Sequence, residues 1–201
     1  MYVRVLTFAG AENIDEGVRF VRDEAVPVLR QQHGYRGVSV SADRSGGVLG
    51  IVSRWETEAD LEASDSALAK AREDGHRLIG GTLTVERLEE AVWEVAEPPV
   101  PGSSVLRLRR SSMDPAKVDQ NLDFFRTVVV PDLRATSGFQ AARFLISRQD
   151  GTGTVGTVWA DKAAMEAGDA AGAARRQSSA VERGVTFGEE SSRDILFAEM
   201  P

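Results

Sequence analysis

The sequence predicts an α+β protein: two β-α-β-β-α-β repeats packed sheet to sheet as a barrel within one chain. Three observations carry that prediction. Residues 24–35 return in altered form as residues 128–139, with Pro27 and Pro131, and Gly34 and Gly138, each 104 positions apart. Apolar residues recur with a helical period from 14 to 29 and alternate after Tyr35, so the pattern turns from helix to strand at a glycine. A break rich in proline (Pro98, Pro99, Pro101) separates two stretches of the same order.

Residues 1–8 read as a strand, rich in Val and aromatic residues and closed by Ala9-Gly10. A helix follows from about Ile14 to Gln32, its apolar positions Ile14, Val18, Val21, Ala25 and Leu29 sharing one face. Pro27 lies inside it, and the missing N–H predicts a kink. The carbonyls so freed, of Asp23 and in the second copy Thr127, are candidate cleft lining. Gly34 stops the helix. Residues 35–42 form a half-buried strand, residues 43–47 a hairpin connection, and residues 48–55 the returning strand. Thr57 is an N-cap with Asp60 three positions on, and its helix runs to about Leu78. Gly80-Gly81 breaks that helix. Leu83 to Val95 is a last, long strand with a bulge expected near Glu89-Glu90.

The halves are placed at 1–97 and 104–201, joined by the linker 98–103. An offset of 104 carries Ile14, Val18, Val21, Ala25 and Leu29 onto Val118, Leu122, Phe125, Val129 and Leu133, and Trp55 onto Trp159, without a gap. In the first strand a one-residue shift pairs Arg4 with Arg107.

Each β-α-β-β-α-β half is ferredoxin-like, with both helices on one face of a four-stranded antiparallel sheet. The other face, about 400 Å² at ~4.8 Å strand spacing and ~20 Å strand length, is left bare. Apolar residues stand at both parities, Val3 and Val5 against Leu6 and Phe8, so that face needs a cover. The second copy supplies it.

Composition narrows the function classes. The 201 residues are 42% hydrophobic and 27% charged, as in a soluble globular protein. The absence of Cys excludes a disulfide, a thiolate ligand and a cysteine nucleophile, and makes the cytoplasm the expected location. A net charge of −7 weighs against nucleic acid as a partner. No apolar run approaches the roughly 20 residues that span a bilayer, so no membrane partner is expected. No phosphate loop, metal-ligand spacing or serine elbow is present, and neither metal nor cofactor is expected.

Pro27-Val28-Leu29-Arg30 followed by Gly34-Tyr35, a strand ending Arg54-Trp55-Glu56, and an Ala-rich helix resemble the dimeric α+β barrel superfamily. The closest resemblance is to its antibiotic biosynthesis monooxygenase-like group, here as a fused tandem repeat. It covers nearly the whole chain twice. It implies a cofactor-independent monooxygenase-like enzyme acting on a hydrophobic small molecule in a barrel pocket, or a non-catalytic small-molecule-binding or stress-associated barrel. A fused pair is expected as a monomeric pseudo-dimer, with a homo-oligomer as the alternative. Haem-degrading relatives carry a ligand histidine in the second helix and an Asn on the first strand; residues 1–8 contain no Asn.

Five residues stand out as site candidates. His76 and Arg4 are candidates for catalysis, and Tyr35, Trp55 and Arg107 for substrate binding. His33 and His76 become Ser137 and Ala180 in the second copy, so neither belongs to the shared scaffold. Arg4 is charged within an apolar strand, and directed into the barrel it would grip a carboxylate or enolate oxygen. The alternative is a packed stem with its head at the rim. Glu86, Glu89 and Glu90 are candidate bases near such an Arg. The recurrence of Trp55 as Trp159 favours packing over a pocket wall. Chemistry is expected where the copies differ, at His33, Tyr35, Arg36 and His76, which directs attention to the first half.

Overall fold

The computed structural model describes residues 1–199. Its elements run in the expected order twice. The first run is β1 (Tyr2–Ala9), α1 (Ile14–Phe20), a π-helical turn (Val21–Ala25), α2 (Val26–Leu29), β2 (Tyr35–Asp43), β3 (Val48–Trp55), α3 (Glu58–Ala63), α4 (Asp65–Ile79) and β4 (Thr82–Val95). The second begins with β5 (Val105–Ser112), a 3-10 turn (Pro115–Lys117), α5 (Val118–Phe124) and a π-helical turn (Phe125–Val129). It continues with α6 (Val130–Arg134), β6 (Phe139–Ile146), β7 (Thr152–Trp159), α7 (Lys162–Arg183) and β8 (Thr186–Glu199). Ile14 to Val118, Val48 to Thr152 and Thr82 to Thr186 are all steps of 104. The strands make one closed antiparallel barrel in the order β1-β3-β2-β8-β5-β7-β6-β4.

The compact units cut across the sequence halves. One is Met1–Leu88 with the chain from Arg193 onward, and the other is Glu89–Ser192. The cause is strand length. β4 and β8 have 14 residues each, enough to begin in one unit and end in the other. Residues 89–95 pair with β6, and residues 194–199 with β2, so each exchanged end covers an edge that would otherwise lack backbone partners. The expected bulge in β4 is a register shift between Glu90 and Val92.

In the first unit, β3 lies between β1 and β2, and Arg4, Leu6 and Phe8 stand opposite Ser53, Ile51 and Leu49. The core gathers Trp55, Leu61, Leu68 and Ile79 around Val21 and Leu29. The expected kink takes the form of a π turn. Val26 donates its N–H to the Val21 carbonyl, one residue further back than in an α-helix, directly ahead of Pro27. Widening the turn absorbs the hydrogen bond that proline cannot make. Gly34 then reverses the chain at φ +73°, where a Cβ would meet Asp60 Oδ2 at 2.3 Å, so neither the backbone nor the space admits another residue.

Thr57 caps α3 as expected, its Oγ1 accepting from the Asp60 N–H at 3.1 Å. The single helix expected after it is two. Ser64 Oγ donates to the Leu61 carbonyl at 2.7 Å, an alternative to the helical ladder, and the chain restarts as α4. In the second unit α7 is unbroken over 22 residues, with Gly168 where the first unit has Ser64. The second core repeats the first, with Trp159, Met165, Phe125 and Leu133. Its π turn repeats too, Val130 donating to the Phe125 carbonyl.

Candidate functional site

The second unit holds a cavity of about 100 Å³ between strand and helix side chains. Phe124, Phe125, Phe144, Trp159 and Phe187 make its walls. Phe125 and Phe144 meet edge to face at 5.3 Å, an arrangement that fixes both rings. Trp159 is placed by Gly168, since a Cβ there would stand 2.2 Å from the indole Cη2. Its Nε1 donates to Thr157 Oγ1 at 2.9 Å, which leaves the apolar face of the ring to the cavity.

Four arginines line the same space: Arg109, Arg175, Arg176 and Arg183. Arg109, on β5, is 7% exposed. Its Nε donates to Glu190 at 2.6 Å and its Nη2 to Glu190 at 3.0 Å and Asp169 at 3.2 Å. Burial alone would depress its pKa, but these hydrogen bonds outweigh burial and hold it above the usual arginine value. The Glu190 carboxyl is drawn below its usual range by the same Arg109 bond. Arg176 donates to the backbone carbonyl of Asp169 at 2.7 Å, and burial, then Arg109, lower its pKa. Arg175 pairs with Asp132, and the Arg183 guanidinium lies 3.6 Å over the Phe124 ring. Ser111 is 6% exposed, and its Oγ has no hydrogen-bond partner among the described residues. The arrangement suits an apolar, ring-bearing molecule with an oxyanion: aromatic walls for the body, guanidinium and hydroxyl donors for the charge.

A smaller cavity, about 70 Å³, occupies the equivalent place in the first unit. Strand register fixes the correspondence. Leu6 faces Ile51 and Arg109 faces Val155, while Phe8 faces Leu49 and Ser111 faces Gly153, the partners lying 104 apart. Leu6, Phe8, Ala71 and Ile79 in the first cavity are thus Arg109, Ser111, Arg175 and Arg183 in the second. The two halves differ at these positions, and the larger and more polar of the two cavities is in the second unit, whereas the sequence directs attention to the first half. The differences were visible in the sequence at an offset of 104, or 103 in the first strand. Which of those positions share a face is set by the strand register.

Arg4 is 2% exposed and turns toward the helices, neither into the barrel nor to water at the rim, the two directions weighed from the sequence. Its Nη2 donates to the Leu61 carbonyl at 2.6 Å, Ser64 Oγ at 3.0 Å and Asp65 Oδ1 at 2.8 Å. Burial keeps its pKa below the ordinary value even though Asp65 opposes that shift. Arg107 holds the same register place, opposite Thr157 as Arg4 is opposite Ser53, so the one-residue shift is the true alignment. Both Nε and Nη2 of Arg107 are committed to Asp169, at 2.8 and 2.7 Å, so it positions the carboxylate shared with Arg109.

Trp55 is fully buried, 5.6 Å from the Arg4 guanidinium, with Tyr35 edge-on at 5.9 Å. Tyr35 reaches Glu199 at 3.5 Å, and burial foremost raises its pKa. The structure thus brings Arg4, Trp55 and Tyr35 together as packing around the first cavity. His76 stands apart on the exposed side of α4, 6.0 Å from the Phe8 ring, and is not part of either cavity lining. Asp23 and Thr127 are likewise outside both linings. The π turns present Ala25 and Val129 there instead. Of the glutamates weighed as bases, Glu89 pairs with Arg148, and Glu90 lies 3.9 Å from Arg143.

Among the described residues no helix is long and apolar enough to cross a membrane. No protein-family model matches the chain. Among solved structures it resembles a candidate monooxygenase from Fusobacterium nucleatum, with a TM-score of 0.74 and 10% identity over 99% of this chain and 94% of that one. It also resembles an anthrone oxidase-like protein, with a TM-score of 0.67 and 16% identity over 99% and 93% of the two chains. A haem-degrading enzyme from Listeria monocytogenes shares the fold at a TM-score of 0.53 and 8% identity, over 95% and 98%. At these identities the likeness is one of fold. In sequence, the chain is 30% identical over 167 residues to the uncharacterized protein Rv2557 of Mycobacterium tuberculosis, covering 83% of this chain and 74% of that protein. The chain belongs to the family of Rv2557.

Proposed function

We propose that this chain is a monooxygenase-like α+β barrel, formed by tandem duplication, whose working site is the arginine-bordered cavity of the second unit. One observation carries the reading: aromatic walls and four guanidiniums line one space with the unpartnered Ser111 hydroxyl. That set favours an aromatic or polyketide-like molecule in its enolate or phenolate form. The fold likeness to an anthrone oxidase-like protein supports the same substrate class. Oxygenation of such an anion needs no cofactor, because the substrate supplies the electrons. A ring methylene becomes a ketone with one atom of O2, and the other atom leaves as water with the two hydrogens. The chain's part is to hold the anion, lower its pKa and keep water from it.

Binding without turnover is the second reading, and it too has an observation. Asp169, the acidic group lining the cavity, is ion-paired with both Arg107 and Arg109.

Oxygen uptake with an anthrone separates the two. Turnover above the spontaneous rate, lost in Ser111→Phe and reduced in Arg176→Met, supports the enzyme. Saturable binding with no uptake supports the binding protein. Neither binding nor uptake in the intact chain would refute both. Because one chain supplies all eight strands, sedimentation near 21.7 kDa is expected.

A further inference from the structure

We propose that Asn121 and Ser179 are specificity-determining residues of the second-unit cavity. They select a ring-bearing anion that also carries an un-ionised hydroxyl at its far end, a role that rests on that cavity being the working site.

The two residues stand out against the first unit. Asn121 and Ser179 lie 104 positions beyond Gly17 and Gly75. There the glycines let α1 and α4 pack closely. A Cβ at Gly17 would stand 2.8 Å from Ile79 Cγ1, and one at Gly75 3.1 Å from Phe20 Cε1. In the second unit the same places, on α5 and α7, carry an amide and a hydroxyl, and both line the cavity.

Both side chains are more than nine-tenths buried, Asn121 at 5% exposed and Ser179 at 8%. Asn121 Nδ2 donates to the Lys117 carbonyl at 3.2 Å, which fixes the amide and leaves Oδ1 as a bare acceptor. Ser179 Oγ likewise has no partner among the described residues. Both oxygens keep accessible surface, so a ligand atom can reach them. Buried polar groups are nearly always partnered, and these two lack a protein partner.

The chemistry of the pair names the group that fits. An amide oxygen only accepts, and a hydroxyl gives or takes, so the complement is a group able to donate and accept: a neutral hydroxyl. A second anion would be repelled by Asn121 Oδ1. Position separates this end from the charged one. Arg109 is bound to Asp169 and Glu190, and Arg176 reaches back along α7 to the Asp169 carbonyl. Ser179 follows Asp169 by ten positions on that helix, about 15 Å along its axis at ~1.5 Å per residue. With side chains reaching in from both ends, two or three fused rings bridge the remainder.

Fluorescence titration of the full chain with 6-hydroxy-2-naphthoate and 2-naphthoate at about pH 7, where a phenol is un-ionised, tests the proposal. The hydroxy acid should bind about tenfold tighter, because the analogue without a hydroxyl leaves the buried oxygens unpaired. Asn121→Ala and Ser179→Ala should each bring that ratio below about threefold. Arg176→Met should weaken both acids and leave the ratio near tenfold. The ratio is read within one protein, so a variant that is partly unfolded still reports it. Equal, saturable binding of the two acids, weakened by Arg176→Met, would overturn the inference and leave the cavity standing as the working site. So would a preference that survives both alanine variants, or tighter binding of 2,6-naphthalenedicarboxylate than of the hydroxy acid. Binding of neither acid to the intact chain would overturn the inference and the working site together.

Discussion

Gly168 and Trp159 are in such close contact that a Cβ on the glycine would stand 2.2 Å from the indole Cη2. The indole lies against the backbone of α7 and is 1% exposed, so it has nowhere to retreat. Gly168→Ala should therefore force the ring off its rotamer, at a cost of about 1–3 kcal/mol. Chemical denaturation measures the loss, and near-ultraviolet circular dichroism reports the indole. An unchanged midpoint would show that the contact relaxes freely.

Arg4 and Arg107 share a register place but not an environment, so the same substitution should cost different amounts. Arg4→Met removes the guanidinium donor to the Leu61 carbonyl, Ser64 Oγ and Asp65, leaving the carbonyl only its Ser64 bond, at a cost of about 2–4 kcal/mol. Arg107→Met leaves Asp169 with Arg109, and about 1 kcal/mol is expected. Equal losses in parallel urea titrations would contradict the different bonding.

His33 and Asp60 form an exposed pair at 2.6 Å. The Asp60 hydrogen bond, then its charge, raises the His33 pKa above the usual 6.5, while Thr57 and then His33 lower that of Asp60. The His33 contribution to stability is complete below 6.5 and lost as pH rises through its raised value. That of Asp60 is present above its unfolded value and lost as pH falls through the lowered one. Proton NMR should place the His33 midpoint above 6.5, and Asp60→Asn should bring it down.

Glu190 owes its depressed pKa first to Arg109. Its stabilising contribution exists above the ordinary glutamate value of 4.5 and is lost as pH falls through the depressed value. Arg109→Leu, which copies the first-unit residue, should return the carboxyl toward 4.5. Stability between pH 3 and 5, roughly the range in which carboxylates titrate, should then depend less steeply on pH than in the parent chain. An unchanged slope would mean that Glu190 titrates independently of Arg109.

The sequence by itself determined the local and periodic features. The 104-residue spacing between Pro27 and Pro131 is a periodic feature, and the apolar helical face, the Gly34 stop and the Thr57 cap each depend on residues near one another in the chain. Those features suffice for the element order and the α+β class. Tertiary structure alone decided which side chains line the two cavities. Arg109 meets Asp169 across 60 positions and Glu190 across 81, and neither distance leaves a periodic trace in the chain. Strand register decided that Arg109 and Ser111 share a face with Arg176, and that Arg4 turns to the helices. A one-residue change of register would have reversed every one of those faces. His76 was conspicuous in the sequence because histidine is rare in it, but rarity says nothing about direction, and the fold leaves it on the exposed side of α4. The Trp55 and Trp159 positions were evident from the repeat. That Trp159 also walls a cavity followed from Gly168, whose missing side chain mattered only once the helix lay on the sheet.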